Sequence, residues 1–170
     1  MKRVLVIGSC GAGKSTFARR LHEITGLKLI HLDSFYHLPN WGEPSKEDWL
    51  KLVQELIKGD EWIIDGNYGG SMEMRLERCD TVIWLNFPRT VCTWRVLKRI
   101  WLYRKGGRPD MAEGCEERFD WEFIKYVWNF PRDKNPKIVS RLAKFPDKKV
   151  FHLKSNNEIE KFFVGVSGRD

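Results

Sequence analysis

Apolar residues run along this chain in two rhythms. One is the short unbroken run: Val4-Leu5-Val6-Ile7 closing on Gly8, residues 27–32, Trp62-Ile63-Ile64 closing on Asp65-Gly66, residues 81–85 and residues 149–153. Runs of this length, stopped by glycine or a charged residue, predict strands with both faces buried. The other rhythm is helical. Phe17, Ala18, Leu21 and Ile24 recur at three- and four-residue spacing until Gly26 stops them. Ser45, with Asp48 three residues on, reads as the capped start of a helix to Lys58. Pro88 opens a helix to Tyr103 with Val91, Trp94, Leu97, Ile100 and Trp101 on one side. Residues 121–129 predict another helix, ended by Pro131, and residues 158–163 a last one, with a frayed tail from Gly165. The same spacing assigns Trp94, Trp101, Phe123 and Trp128 to the core. Residues 34–44, 67–70 and 105–117 show no period and read as loops, the second leading towards a short helix.

Strands alternating with helices imply an α/β fold: a parallel sheet with helices on both faces and right-handed crossovers. In such sheets ligands bind beyond the carboxyl ends of the strands, where Asp33 and Asp65 both fall. No repeat, linker or low-complexity segment interrupts the pattern, so residues 1–170 read as a single domain.

Composition narrows the class. With 42% hydrophobic and 31% charged residues the chain is an ordinary globular one, and its apolar runs are too short to span a bilayer. The basic start leads into a glycine loop and not a long apolar stretch, so a cytoplasmic protein is expected. Cys10, Cys79, Cys92 and Cys115 lack metal-ligand spacing and suit a reducing compartment. His31, His37 and His152 show no metal or triad partner in the sequence, so structural roles are expected of them. The net charge of +7 points to an anionic partner: a nucleotide, a phosphorylated metabolite or nucleic acid.

The charge pattern is sharpened by Gly8-Ser9-Cys10-Gly11-Ala12-Gly13-Lys14-Ser15, which matches G-x-x-x-x-G-K-[ST] in full between a strand and a helix, with Thr16 following. Glycines let the backbone wrap closely so that successive N–H groups face phosphate oxygens, and the helix N-terminus adds partial positive charge. Residues 8–16 are therefore the expected ATP site, with Lys14 on the β- and γ-phosphates and the Ser15 hydroxyl on Mg²⁺.

The loop GSCGAGKST, the run ending HLD, the segment DGNYGG and the arginine-rich stretch after the fourth strand resemble the adenylate-kinase-like P-loop kinases. Within that family HLDSFYHLPNW, WIIDGNYGG and RPDMAEGCEER are similar to small bacterial proteins named DNA topology modulation proteins. The resemblance covers nearly the whole chain. It implies a three-layer P-loop NTPase fold with a five-stranded parallel sheet, an acceptor pocket and a helical lid over about residues 104–120. It also implies transfer of the ATP γ-phosphate to a small acceptor, a nucleoside, a nucleotide or another hydroxylated metabolite. The alternative is a nucleic-acid-associated ATPase or modulator of DNA topology. Weak, non-specific nucleic-acid binding and no membrane partner are expected.

In related kinases an aspartate at the position of Asp33 orients the acceptor hydroxyl or holds Mg²⁺ through water; a turn or helix cap is the plainer role. Asp65 supports the metal shell or simply begins an Asp-Gly turn. Asn67 and Tyr68 stand where nucleoside monophosphate kinases carry the aromatic and proline of Asp-Gly-Phe-Pro-Arg, which weakens the case for that acceptor. Phe87-Pro88-Arg89 spells a similar run, but it opens a helix. Tyr36, Trp41, Asn67 and Tyr68 are the expected pocket wall. Arg89, Arg95, Lys98, Arg99, Arg104, Lys105 and Arg108 form a stretch without acids. Arg104 and Arg108 flank Gly106-Gly107, and with Arg118 they are candidates to stabilise the transferring phosphoryl group. Arg95, Lys98 and Arg99 read as a solvated helix face. Against a hydrolytic ATPase, glycine and not an acid follows Asp65. A GTPase would need an Asn-Lys-x-Asp run, which the chain lacks.

Overall fold

The first apolar run forms β1 (Arg3–Gly8), and it sits at the centre of a parallel sheet. The computed structural model describes residues 1–37, 42–103 and 119–168. Around β1 lie β2 (Leu29–His31), β3 (Trp62–Asp65), β4 (Thr81–Leu85) and β5 (Lys149–Leu153), in the order β2-β3-β1-β4-β5. β1 pairs with β3 through Arg3–Trp62 to Val6–Asp65, and with β4 through Val4–Thr81 to Gly8–Leu85. The chain therefore crosses from one side of β1 to the other after β3. That reversal opens a crevice at the carboxyl ends of the strands, where Gly8 and Asp65 end adjacent strands.

Successive side chains on a strand point to opposite faces, so an unbroken apolar run fills two cores. Val4, Val6, Ile63, Ile83 and Leu85 face helices α1 (Lys14–Thr25), α5 (Arg89–Leu102) and α8 (Asn156–Ser167). Leu5, Ile7, Ile64, Val82 and Trp84 face α3 (Lys46–Leu56), α4 (Met72–Arg78) and α7 (Asn135–Leu142). Helix α6 (Trp121–Asp133) serves both cores, with Ile124 and Val127 in one and Phe130 in the other. Val4 to Ile7 are buried completely or nearly so. Each such side chain contributes about 1.5–3 kcal/mol of apolar burial. The five-stranded sheet and its two helical layers are the α/β P-loop NTPase architecture expected from the sequence.

Several elements depart from the sequence pattern. Asp33 opens a one-turn helix, α2 (Asp33–Tyr36), where a loop was expected. The helix expected to stop before Pro131 runs through it, because Phe130 and Val127 are buried and the ladder resumes with Lys134 N–H on Phe130 O at 2.9 Å. Helix α7 was not anticipated at all. Its start has Pro136 in the first turn, where a missing N–H costs nothing. Helix α8 continues past Gly165, where fraying was expected. On α5 the buried stripe is Cys92, Val96 and Ile100, while Trp94 and Trp101, expected in the core, are 67% and 70% exposed. Both stripes have helical spacing, and only the sheet beneath decides which one is inward. Trp128, also expected in the core, is 41% exposed, its ring under the Arg89 guanidinium at 4.6 Å.

Asp80 fastens the amino end of β1 to β4. Its Oδ2 accepts from the Lys2 and Arg3 amides at 2.9 and 2.8 Å, and Thr81 Oγ1 donates to Oδ1 at 2.7 Å. Burial alone would raise this carboxyl, but the Thr81 hydroxyl and the two amides outweigh it and hold its pKa below the ordinary 3.8. A depressed folded pKa stabilises the fold above the unfolded value, and the benefit is lost as pH falls through the folded one. Wild type should therefore exceed Asp80→Asn in urea melts by about 1 kcal/mol at pH 7. The gap should narrow as pH drops below 3.8. A gap that is constant from pH 7 to pH 2.5 would show that the carboxylate charge is not what fastens the two strands.

Candidate active site

The glycine loop leaves β1 through two positions that admit no side chain. At Gly8 (φ +145°) an added Cβ would lie 2.2 Å from the Leu85 carbonyl oxygen; at Gly11 (φ +77°) it would lie 2.3 Å from the Cys92 carbonyl oxygen. The loop is thus threaded between the end of β4 and α5, and Gly13 caps α1 in the left-handed conformation. Ala12 N–H closes the turn on Ser9 O at 3.1 Å, and Lys14 Nζ donates to the same carbonyl at 3.2 Å. Lys14 and Cys10 open onto a cavity of about 660 Å³, while Ser15 and Thr16 sit in the first turn of α1. This conformation, with a lysine and a helix N-terminus beside left-handed glycines, fits the triphosphate of ATP.

Arg95 supports the loop from behind. Its guanidinium reaches Ala12 O at 3.5 Å and Asn156 Oδ1 at 3.1 Å, and lies over the Phe87 ring at 4.7 Å. Of the three cations expected on a solvated face, Arg95, Lys98 and Arg99, only Lys98 is exposed. Arg99 is half-buried and lines the cavity, its guanidinium over Phe123 at 5.9 Å.

The segment after β3 grips both ends of the site. Asn67 Oδ1 accepts from the Gly8 amide at 3.1 Å and Nδ2 donates to the Gly8 carbonyl at 2.7 Å, a two-point clamp on the start of the phosphate loop. Tyr68, with the unusual φ of +28°, donates its phenol to Asp33 Oδ1 at 2.6 Å. Burial, reinforced by the Asp33 charge, pushes this phenol far above its ordinary range, so it keeps the proton that it donates to Asp33. Its ring packs with Tyr36 and Trp49 at centroid distances of 4.5 and 4.9 Å, and Tyr36 in turn donates to Glu43 at 2.9 Å. Asp33 and Tyr68 line the cavity together with Lys14. Asp65, the last residue of β3, is buried and does not line the cavity; its Oδ1 meets His31 Nδ1 at 2.8 Å. His31, for which no partner was visible in the sequence, thus has one in Asp65.

The rest of the cavity comes from residues that sequence reasoning did not assign to it. Helix α6 supplies Phe123, Tyr126 and Phe130; Lys134, Lys137 and Arg141 come from the α6–α7 junction and α7. Burial pushes the Tyr126 phenol up to about 12, and Lys134 Nζ lies 5.4 Å from the centre of its ring. The Arg141 guanidinium fills the space over Gly69, where a Cβ would come within 3.2 Å of Nη1. Asp120, by contrast, is engaged as the cap of α6 and accepts from Glu122 N and Phe123 N. A signal for this wall does exist: Lys137, Ile138 and Arg141 share helical spacing after an Asn-Pro start, with Lys134 just before it. Trp41, Arg104, Arg108 and Arg118, and with them most of the expected lid, lie outside the described residues.

Removing the Asn67 amide by Asn67→Ala leaves the Gly8 amide and carbonyl without their partner. The expected result is a loss of about 1–3 kcal/mol in urea melts, together with weaker Mg·ATP binding by calorimetry. Unchanged values for both would show that the clamp does not hold the loop.

No protein-family model matches the chain, and no curated protein does. Solved structures do. The shikimate kinase of Bacteroides thetaiotaomicron superposes with a TM-score of 0.59 at 15% identity, over 98% of this chain and 96% of that one. The shikimate kinase of Acinetobacter baumannii, solved in complex with shikimate, gives 0.63 at 16% identity, over 99% and 95%. At these identities the likeness is one of fold, and it extends over nearly the whole length of both chains: this protein has the architecture of the shikimate kinases.

Proposed function

We propose that the protein is a cytoplasmic ATP-dependent phosphotransferase that moves the γ-phosphate of ATP to a hydroxyl of a small acceptor, and that the acceptor itself carries an anionic group. One observation carries this reading: Lys14 of the phosphate loop, Asp33 and the cations Lys134, Lys137 and Arg141 all line one cavity of about 660 Å³. That volume suits a small molecule. The fold shared with two shikimate kinases supports the reaction class.

Each residue then has a task. Lys14 neutralises charge on the transferring phosphoryl group. Asp33, with Oδ1 already held by Tyr68, offers Oδ2 to the acceptor hydroxyl and takes its proton as the hydroxyl oxygen bonds to the γ-phosphorus. The bond from the γ-phosphorus to the bridging oxygen breaks, and ADP leaves with that electron pair. The Ser15 hydroxyl and the Asp65 carboxylate are the groups proposed to hold Mg²⁺, which when bound offsets phosphate charge. Arg104, Arg108 and Arg118 are proposed to approach the transferring group. Arg141 and Lys137 favour a carboxylate or phosphate on the acceptor.

The test is radiolabelled-ATP transfer to matched hydroxylated acceptors with and without a carboxylate or phosphate, with hydrolysis measured alongside. Transfer only to anionic acceptors is expected; transfer only to neutral ones, or hydrolysis alone, would overturn the reading. Lys14→Ala should abolish tight Mg·ATP binding in a folded protein. Asp33→Asn should keep that binding and lose about 10²–10⁴-fold in transfer. Arg141→Ala should raise the acceptor KM and leave that for ATP unchanged.

A second reading, the nucleic-acid-associated ATPase, draws on the outer face of α5, where Trp94, Lys98 and Trp101 are exposed side by side at helical spacing. Only weak, sequence-independent binding is proposed there. Duplex affinity measured by anisotropy should fall steeply between 50 and 200 mM salt (about the range over which phosphate contacts are lost). Tight, sequence-selective binding at physiological salt would promote this reading over the first.

A further inference from the structure

Arg75 is the one charged side chain with no exposure at all among the described residues. Burying a guanidinium is expensive unless its charge and all its donors are answered. Burial pulls its pKa down to about 9, which leaves it charged at neutral pH. Among the described residues no carboxylate answers that charge. Backbone carbonyls do: Nη1 donates to Gly66 O at 2.8 Å, Nη2 to Asn67 O at 2.5 Å and to Tyr68 O at 3.0 Å, and Nε to Ser71 O at 3.3 Å.

Three consecutive carbonyls cannot converge on one point in a strand, where they alternate in direction. Their convergence goes with a chain bent at Gly66 (φ +132°) and at Tyr68 (φ +28°), the latter a conformation that a non-glycine residue holds only when its surroundings impose it. A planar fork of five N–H donors suits that geometry; the three donors of a lysine ammonium radiate from a single atom. The bent segment is the one whose side chains grip both ends of the cavity, Asn67 on Gly8 and Tyr68 on Asp33.

We propose that Arg75 is a positioning residue: by gathering the Gly66, Asn67 and Tyr68 carbonyls it sets the Asn67 clamp on the phosphate loop and the Tyr68 hydrogen bond on Asp33 together, and so couples the nucleotide site to the proposed base. Arg75 does not line the cavity, so its influence passes through the segment it holds. The consequence for transfer rests on the kinase reading; the coupling itself does not.

Two measurements need no acceptor. In protein labelled with [ζ-¹³C]tyrosine, the Tyr68 resonance, assigned with Tyr68→Phe, should move in Arg75→Lys towards its position in Asp33→Asn. Mg·ATP affinity should fall about 10-fold in Arg75→Lys and in Asn67→Ala, and again only about 10-fold in the double variant, because both remove one clamp. A purely structural role would lower the melting temperature and leave the Tyr68 resonance in place. A folded Arg75→Lys with a wild-type Tyr68 resonance, or a 100-fold additive loss in the double variant, would overturn the proposal. Should Arg75→Lys fail to fold, Asn67→Ala alone decides. If the segment is one unit, loss of the clamp at Gly8 must move the Tyr68 resonance, and an unmoved resonance sinks the inference. With the acceptor found by the transfer screen, Arg75→Lys should lose about 10–100-fold in kcat with little change in acceptor KM. Absence of transfer by the wild type would fail the kinase reading alone, since the resonance and affinity measurements stand without it.

Discussion

At Gly8 the central strand stops being core and becomes site, and the close approach of two backbones there sets the terms for everything around it. The Leu85 carbonyl oxygen stands 2.2 Å from where a Cβ would be, so the chain must turn beside β4 without a side chain. Its amide and carbonyl, beyond the last residue of β3, are taken by the side-chain amide of Asn67. A carboxamide can do both jobs at once because it carries a donor and an acceptor side by side. The phosphate loop is thereby tied to the end of β3, and the end of β3 is tied through Tyr68 to Asp33 at the start of α2. Three strands' carboxyl ends are locked into one frame by side-chain hydrogen bonds, where the sheet ladder can no longer reach.

The cations around this frame divide by what answers them. Arg75 gives its donors to four carbonyl oxygens, and Arg95 gives its own to Ala12 and Asn156 while stacking on Phe87. Both are structural charges: Arg75 is buried beneath the segment after β3, and the half-buried Arg95 braces the phosphate loop. Lys14, Lys137 and Arg141 face the cavity instead, and Arg141 makes no ion pair among the described residues. A net charge of +7 is thus unevenly useful. The charges that scaffold the site are wholly or half-buried, and those that line the cavity remain open to it. The fold, shared with two shikimate kinases, hosts this arrangement without dictating it, since chemistry resides in the side chains placed at the strand ends.

The strands, their parallel arrangement and the phosphate loop were legible in the sequence because their signals are local. A doubly buried strand must be apolar at every position, and a loop that wraps phosphate must be glycine where its backbone touches its neighbours. Asp33, Asn67 and Tyr68 could be placed at the ligand end for the same reason, since strand ends are visible as the ends of apolar runs. What Asn67 and Tyr68 do there was not legible. Each acts on a residue 59 or 35 positions away, and no spacing in the sequence encodes such a contact.

Tertiary structure alone decided the rest. Trp94 and Trp101 have the same helical period as Cys92, Val96 and Ile100, and only the helix's rotation against the sheet turned the tryptophans outward. Pro131 is a stop signal by local rules, but burial of Phe130 and Val127 outweighs it and carries α6 on towards the cationic wall of α7. Arg75, in a sequence, is one more arginine in a charged helix. Its isolation from water follows from the packing of α4 against the sheet and from the bend at Tyr68, and from these it acquires its task. Local patterns report what a residue needs from its immediate neighbours along the chain; burial and charge pairing are set by neighbours in space.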